Sequence, residues 1–265
     1  MVLADWRDVL FGWRRASPRP VLPPRVPDGL RVYAVGDVHG ELRLLNDMLG
    51  SITADAQQAR ESGLEPVVVF LGDYIDRGAD SQGVLERLCG GALPRGISWR
   101  FLMGNHEAVL LDFLRDPAGA ADWLNYGGVE TLASYGIRAS AGIRERRRCL
   151  EVRDRFADVF PEHHRQFLEG LETSVTFGDY LFVHAGIRPG RPLDRQQASD
   201  LLWIREPFLS DSRFHGKIIV HGHTMTDEPD LLSNRIGVDT GAYVTGVLSA
   251  LVLEGDRQCL IQAKA

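Results

Sequence analysis

The chain has 265 residues, of which 44% are hydrophobic and 25% charged, with a formal net charge of -6. That length suits one large α/β domain or two small ones, and the lack of a basic excess argues against a nucleic-acid partner. Cys89, Cys149 and Cys259 stand far apart with no CxxC pair. This spacing speaks against disulfides and against a thiolate zinc site, and for a reducing compartment. Asp5 and Asp8 interrupt the apolar residues of the N-terminus, and no apolar run reaches the ~20 residues of a membrane span, so a cytoplasmic protein without a transmembrane segment is expected.

Residues 1–15 place Val2, Leu3, Trp6, Val9, Leu10 and Trp13 on one helical stripe, which suits a terminal helix packed on the body or held in an oligomer contact, or, with Arg7, Arg14 and Arg15 beside the two tryptophans, one docked on a partner or a membrane surface. Pro18, Pro20, Pro23, Pro24 and Pro27 then form a stiff, non-helical linker. The division expected is a leading segment 1–28 and a catalytic domain 29–265. From Leu30 the pattern alternates strands with helices. Strand 30–35 ends in Gly36-Asp37-Val38-His39-Gly40, strand 66–71 in Gly72-Asp73-Tyr74-Ile75-Asp76-Arg77-Gly78, and strand 99–103 in Gly104-Asn105-His106-Glu107. Each is followed by apolar residues at helical spacing, so the three units predict parallel strands with crossover helices.

Residues 118–172 read as helical, with breaks at Gly127-Gly128, Gly136 and Pro161, and form an insertion between two strand-rich halves. Its basic run Arg144–Arg148 reads first as a solvated helix face and second as a rim for an acidic or phosphorylated partner. The pattern then returns to strands at 174–177, 180–183, 217–220, 235–238, 247–253 and 259–262. Hairpin signals at Gly178-Asp179 and Gly255-Asp256 make this half partly antiparallel. Two packed sheets covered by helices bury both halves.

Strand ends thus supply Asp37, His39, Asp73, Asn105, His184 and His223, a carboxylate, imidazole and amide set with no thiolate. Such donors suit two divalent ions such as Mn²⁺, Fe²⁺ or Zn²⁺. One carboxylate can bridge ions about 3.5–4 Å apart. Each cluster alone is weak evidence; four of them, each at the end of an apolar strand, point to a metal site.

GDVHG (36–40), GDYIDRG (72–78), GNHE (104–107), VHAG (183–186) and HGHT (221–224) resemble, in order and spacing, the phosphoprotein phosphatases of the calcineurin-like metallophosphoesterases, and their bacterial and phage-type members most. The resemblance covers about residues 30–256. It implies an α/β fold, a four-layer α/β/β/α sandwich with two mixed central sheets and a helical insertion. It implies that Asp37 and His39 bind the first metal, that Asp73 bridges, and that Asn105, His184 and His223 hold the second, with Mn²⁺ the first expectation. Water or hydroxide between the ions would attack phosphorus in line. His106 would protonate the leaving alkoxide, Asp76 would orient His106, and Arg77 would bind phosphate oxygens with Arg205, which sits in a shorter match, Trp203-Ile204-Arg205.

Tyr74-Ile75 and Met225 depart from the family's commoner residues and bear on the substrate rim rather than on the ligands. His221 fits a core position and a place beside the ligands equally well. His163, His164 and His215 match no motif and read as surface or packing residues. Trp123, Asn125 and Gly127-Gly128 read as structural, whereas Asp239 and Tyr243 fall near the pocket. The leading expectation is a metal-dependent serine/threonine phosphatase acting on a phosphorylated protein or peptide. A hydrolase of diadenosine tetraphosphate or another small phosphoanhydride is the rival. The symmetrical dinucleoside-tetraphosphatase branch typically lacks an acidic residue at the position of Asp76, which favours the monoesterase. A non-catalytic phosphoprotein-binding module is the remaining class, disfavoured by the full donor set.

Overall fold

A computed structural model describes residues 23–91 and 93–265. The helix expected over 1–15 lies outside the described residues. The described end of the proline-rich stretch is tied to the body: Val26 is fully buried, its N–H donates to Gly255 O, and the N–H of Arg25 donates to Asp179 Oδ2.

The first sheet holds β1 (Leu30–Val35), β2 (Glu65–Phe70), β3 (Ser98–Phe101), β9 (Val247–Glu254) and β10 (Arg257–Lys264), in the order β10-β9-β1-β2-β3. β1, β2 and β3 are parallel, joined by α1 (Leu42–Glu61) and α2 (Ser81–Cys89), while β9 runs antiparallel to both of its neighbours. The second sheet holds β4 (Ser174–Phe177), β5 (Tyr180–Val183), β6 (Ile218–His221), β7 (Asp230–Leu231) and β8 (Arg235–Gly237), in the order β4-β5-β6-β8-β7. Here β5, β6 and β8 are parallel and the outer strands antiparallel. Both sheets are mixed, as the family resemblance implies. β7 is the strand the pattern misses, because two residues carry no periodicity.

Side-chain alternation sets the layers. Val32, Ala34, Val67 and Val69 of the first sheet meet Tyr180, Phe182, Val220 and Ile236 of the second in one buried layer. The opposite face of the first sheet (Tyr33, Val35, Val68, Phe70) packs on α1, α2, α3 (Asn105–Arg115) and the helical segment. The outer face of the second sheet (Leu181, Val183, Ile219) packs under α7 (Ala198–Trp203). The result is helices, sheet, sheet, helices. Residues 118–172 contribute a 3-10 turn at Ala121–Asn125, then α4 (Gly128–Ser134), α5 (Arg146–Val159) and α6 (Glu162–Glu169); a short α8 (Ala242–Thr245) precedes β9. In the Arg144–Arg148 run, Arg144, Arg147 and Arg148 pair with Asp122, Glu151 and Glu145, all well exposed, and such pairs contribute little to stability.

Candidate active site

Every expected donor lies just beyond a strand or at the first turn of the helix after it. Asp37 and His39 follow β1, Asp73, Asp76 and Arg77 follow β2, Asn105 and His106 open α3, His184 follows β5 and His223 follows β6. All of these except Arg77 are buried. The backbone there is bent hard. Among the described residues, the non-glycine positions with positive φ are His39 (45°), Asp73 (53°), Asp76 (73°), Arg77 (69°) and His223 (61°), all of them expected site residues. Left-handed backbone at residues that carry a Cβ is uncommon, and it gathers where surrounding structure holds chemistry in place. At Gly72 (φ 105°) a side chain is excluded outright, because a Cβ would stand 2.6 Å from Gly104 N and 2.9 Å from His184 Nδ1.

One buried carboxylate organises the turn after β2. Glu107 accepts from the N–H of Asp73 (2.9 Å), Tyr74 (2.8 Å), Ile75 (3.3 Å) and Gly104 (3.0 Å). Burial and the nearby Asp73 push its carboxyl up to about 8, and the N–H donors oppose that shift. The motif contains Glu107, but this role depends on two turns 30 residues apart meeting, which spacing alone does not disclose.

Two triads of ligand atoms share Asp73. His39, Asp73 and His106 form one, and Asp73, His184 and His223 the other, with the atoms of each triad within 4.8 Å of one another. His39 Nε2 lies 3.5 Å from Asp73 Oδ2, and His184 Nε2 lies 3.5 Å from Asp73 Oδ1. Asn105 Oδ1 stands 2.8 Å from His184 Nε2 and 2.9 Å from His223 Nδ1. Asp37 belongs to neither triad but adjoins the second, accepting the N–H of His223 at 3.0 Å.

The proton inventory identifies what the cluster lacks. His39 Nδ1 sits 2.8 Å from Ile75 O and His184 Nδ1 sits 2.9 Å from Leu71 O. A carbonyl only accepts, so each Nδ1 carries the proton and each Nε2 turns a lone pair inward, the usual arrangement of a metal-ligating histidine. Burial holds His39 and His223 down to about 3 and lowers His184, which keeps these imidazoles neutral. Burial also lifts the Asp37 carboxyl well above its ordinary range, with Asp239 and Asp73 adding to it, and pushes Asp239 up to about 6. Asp37 Oδ1 and His223 Nε2 are buried without a hydrogen-bond partner. Buried carboxylates beside neutral imidazoles with inward lone pairs are short of positive charge. Divalent cations on this oxygen and nitrogen set supply it, so the donors fit the expected metal pair.

A second group stands beside the metal-facing atoms. His106 Nδ1 is 2.6 Å from Asp76 Oδ2, and its Nε2 is 3.9 Å from Asp73 Oδ2. Burial disfavours the imidazolium, but Asp73 and Asp76 prevail and raise His106 to about 9. Arg77 Nη2 lies 3.2 Å from His106 Nε2, and its Nη1 lies 3.1 Å from the Tyr243 hydroxyl. A pocket of about 350 Å³ opens over this group, lined by Arg77, His106, Val109, Trp123, Tyr126, Trp203 and Arg205 among others. Arg205 Nη2 is 3.3 Å from His223 O, so the structure brings both expected phosphate-binding arginines to one pocket.

A calcineurin-like phosphoesterase family model matches residues 30–246. The chain belongs to that family. As a calcineurin-like phosphoesterase it is a hydrolase of a class that uses a dinuclear divalent metal centre, and its gathered Asp and His donors agree with that. It is 26% identical over 234 residues to the asymmetrical bis(5'-nucleosyl)-tetraphosphatase PrpE of Anoxybacillus flavithermus, covering 82% of this chain and 88% of that protein. It is 26% identical over 229 residues to serine/threonine-protein phosphatase 2 of Salmonella typhimurium, covering 82% and 90%. Shewanella-like protein phosphatase 2 of Arabidopsis thaliana is 29% identical over 197 residues, which span 65% of this chain and half of the plant protein. A solved structure assigned provisionally as a diadenosine tetraphosphatase shares the fold with a TM-score of 0.61 at 21% identity, covering 91% of this chain and 99% of that one.

The sequence of this phosphoesterase gives Asp76 no partner besides His106, and the helical segment provides others. Asp76 Oδ1 accepts from the Thr131 hydroxyl at 2.5 Å and Oδ2 from Trp123 Nε1 at 2.8 Å, while its N–H reaches Ser81 Oγ and Thr131 Oγ1. Trp123, read from sequence as structural, therefore touches the residue that holds His106. Gly127 explains the close approach: at φ 112°, a Cβ there would stand 2.5 Å from Arg77 N and 2.8 Å from Asp76 Cβ. Tyr243 stands edge-on to His39 at 5.3 Å between ring centres, and Asp239 faces Asp37, so both belong to the site. His221 packs edge-on against Phe208 with centroids 5.2 Å apart, which favours its core reading.

Proposed function

We propose that this phosphoesterase hydrolyses phosphoserine and phosphothreonine in proteins or peptides. The observation that carries this reading is the Asp76–His106 contact at 2.6 Å, with Asp76 fully hydrogen-bonded on its other side. A serine alkoxide is a poor leaving group and requires a proton; a phosphoanhydride leaving group is already acidic. Asp37 and His39 would hold one divalent ion, Asn105, His184 and His223 the other, with Asp73 shared and Mn²⁺ the first candidate over Fe or Zn. When bound, such a pair supplies an activated water and offsets charge on the phosphoryl oxygens.

The chain's own residues do the rest. Arg77 and Arg205 grip the phosphate oxygens, and the guanidinium fork suits them to it. The Asp76 carboxylate supports the imidazolium form of His106, which delivers its Nε2 proton to the leaving oxygen. A guanidinium only donates, so the Arg77 contact with Nε2 belongs to the neutral imidazole. An arriving phosphate draws Arg77 onto its oxygens and leaves Nε2 free to hold the proton. Asp76 is a positioning residue for His106. We assign the catalytic unit to residues 29–265, with about 118–172 as its helical insertion and the N-terminal helix expected over 1–15 as a docking or oligomer contact, and we place the protein in the cytoplasm. Among the described residues no helix is long and apolar enough to cross a membrane.

One observation favours a second reading. Tyr126 and Trp203 line the pocket while 66% and 49% exposed, and such rings offer a nucleobase a stacking surface, as a dinucleoside tetraphosphate needs. The deciding experiment compares kcat/KM on a phosphoserine peptide with that on diadenosine tetraphosphate, both with Mn²⁺. Preference for the peptide is expected; a strong preference for the dinucleotide overturns the phosphatase reading.

A further inference from the structure

We propose that this protein carries a second metal site, apart from the catalytic pocket, in which Cys89 and Glu86 of α2 and His163 and His164 of α6 bind one zinc ion. In the sequence the cysteines stand apart with no CxxC, which spoke against a thiolate site. Folding supplies the missing partners from 74 residues away. Cys89 Sγ and one ring nitrogen each of His163 and His164 lie within 4.8 Å of one another. Glu86, one helical turn before Cys89 and on the same face, points Oε2 at both rings, 2.8 Å from His163 Nε2 and 3.1 Å from His164 Nε2. Cys89, His163 and His164 thus converge from two helices that pack on each other, with Glu86 beside both rings.

The donor types select the ion. One thiolate, two imidazoles and one carboxylate form a tetrahedral zinc set, whereas the catalytic cluster offers no sulfur. Ligands at ordinary zinc distances stand about 3.4 Å apart around a tetrahedron, within the spread seen here. His164 is fully buried and its Nδ1 lies 2.7 Å from the Tyr135 hydroxyl, which can accept the Nδ1 proton and leave Nε2 as the ligand atom. Burial lowers the His164 pKa, which keeps the ring in its ligating, neutral form.

The site has a mechanical consequence. Cys89 ends α2 and Ser81 begins it, about 12 Å away along the helix. Ser81 Oγ accepts the N–H of Asp76. A zinc ion joining α2 to α6 would brace the helix that steadies the His106 partner.

The test is cobalt titration of the metal-stripped full chain. A thiolate-to-cobalt charge-transfer band must come from a cysteine ligand, and no catalytic donor is one. The expected result is three cobalt ions per chain with this band, which Cys89→Ser and His163→Asn abolish while two ions remain. Cys149→Ser and Cys259→Ser should keep it. With the catalytic cluster already loaded with Mn²⁺, added zinc should raise the unfolding midpoint of the unaltered chain more than that of Cys89→Ser. His163 is half-exposed, so its variant tests the site without opening the core. Absence of the band in the unaltered chain, or its survival in Cys89→Ser, reduces the cluster to imidazole–carboxylate hydrogen bonds and overturns the proposal. Hydrolysis of neither substrate by the Mn²⁺-loaded protein would instead overturn the functional reading alone.

Discussion

The sheet edges and the helical segment 118–172 meet the turn 72–78 from opposite sides, and they hold it by different means. On the sheet side, ligand atoms leave strand ends and converge on Asp73, with backbone carbonyls fixing each imidazole. On the helical side there are no ligand atoms for the catalytic cluster. Thr131 and Trp123 instead saturate Asp76, which positions His106. Two carboxylates three residues apart thereby acquire separate duties, one facing cations and the other a proton donor. In the proposed reading, the sheet edges hold the reaction centre and the helical segment governs which leaving groups it can expel.

That division can be broken at five positions. Asp73→Asn removes the carboxylate shared by both triads. It should cost on the order of 10³-fold or more in kcat, with loss of both ions in metal analysis. Full metal occupancy in that variant would end its assignment as the bridge. His106→Asn should keep both ions and lose roughly 10²–10⁴-fold in kcat on phosphoserine peptide, but much less on p-nitrophenyl phosphate. Equal losses on the two substrates would count against proton donation.

The helical side predicts a smaller and different signature. Trp123→Phe and Thr131→Val should each lower kcat by about 10–100-fold with metal content unchanged. The pH profile carries the sign. His106 is raised to about 9, so its acid form prevails below that pH and is lost as pH rises through it. Removing a donor to Asp76 disfavours its anion, withdraws support from the imidazolium, and moves the basic limb of kcat to lower pH. A limb that does not move would separate the helical segment from the chemistry. Last, Gly127→Ala forces a Cβ against Arg77 N in left-handed backbone and should cost about 1–3 kcal/mol, read as a lower urea midpoint at unchanged slope.

The sheet side was readable from sequence because its signals are local. Apolar runs mark strands, and Asp37, His39, Asp73, Asn105, His184 and His223 sit within a few residues of strand ends, in motifs that name them. Even there Glu107 was visible only as a motif letter, since its four N–H partners come from two separate turns. The helical side was not readable for the same reason, carried further. Trp123 and Thr131 lie 47 and 55 residues from Asp76, in a stretch with no motif. The Cys89 and His163-His164 pairing crosses a comparable gap. Contacts of that kind are set by how helices pack, and spacing in the chain does not record them.

The left-handed backbone at His39, Asp73, Asp76, Arg77 and His223 puts function and robustness at odds in this protein. At each of these positions glycine relieves a strain on the order of 1–2 kcal/mol. The relief is least offset at Arg77, whose side chain is exposed. A selection for thermal tolerance alone would therefore favour glycine at position 77 and discard the guanidinium fork proposed to grip phosphate. Engineering this enzyme for durability must protect its most awkward residues from their own best replacements.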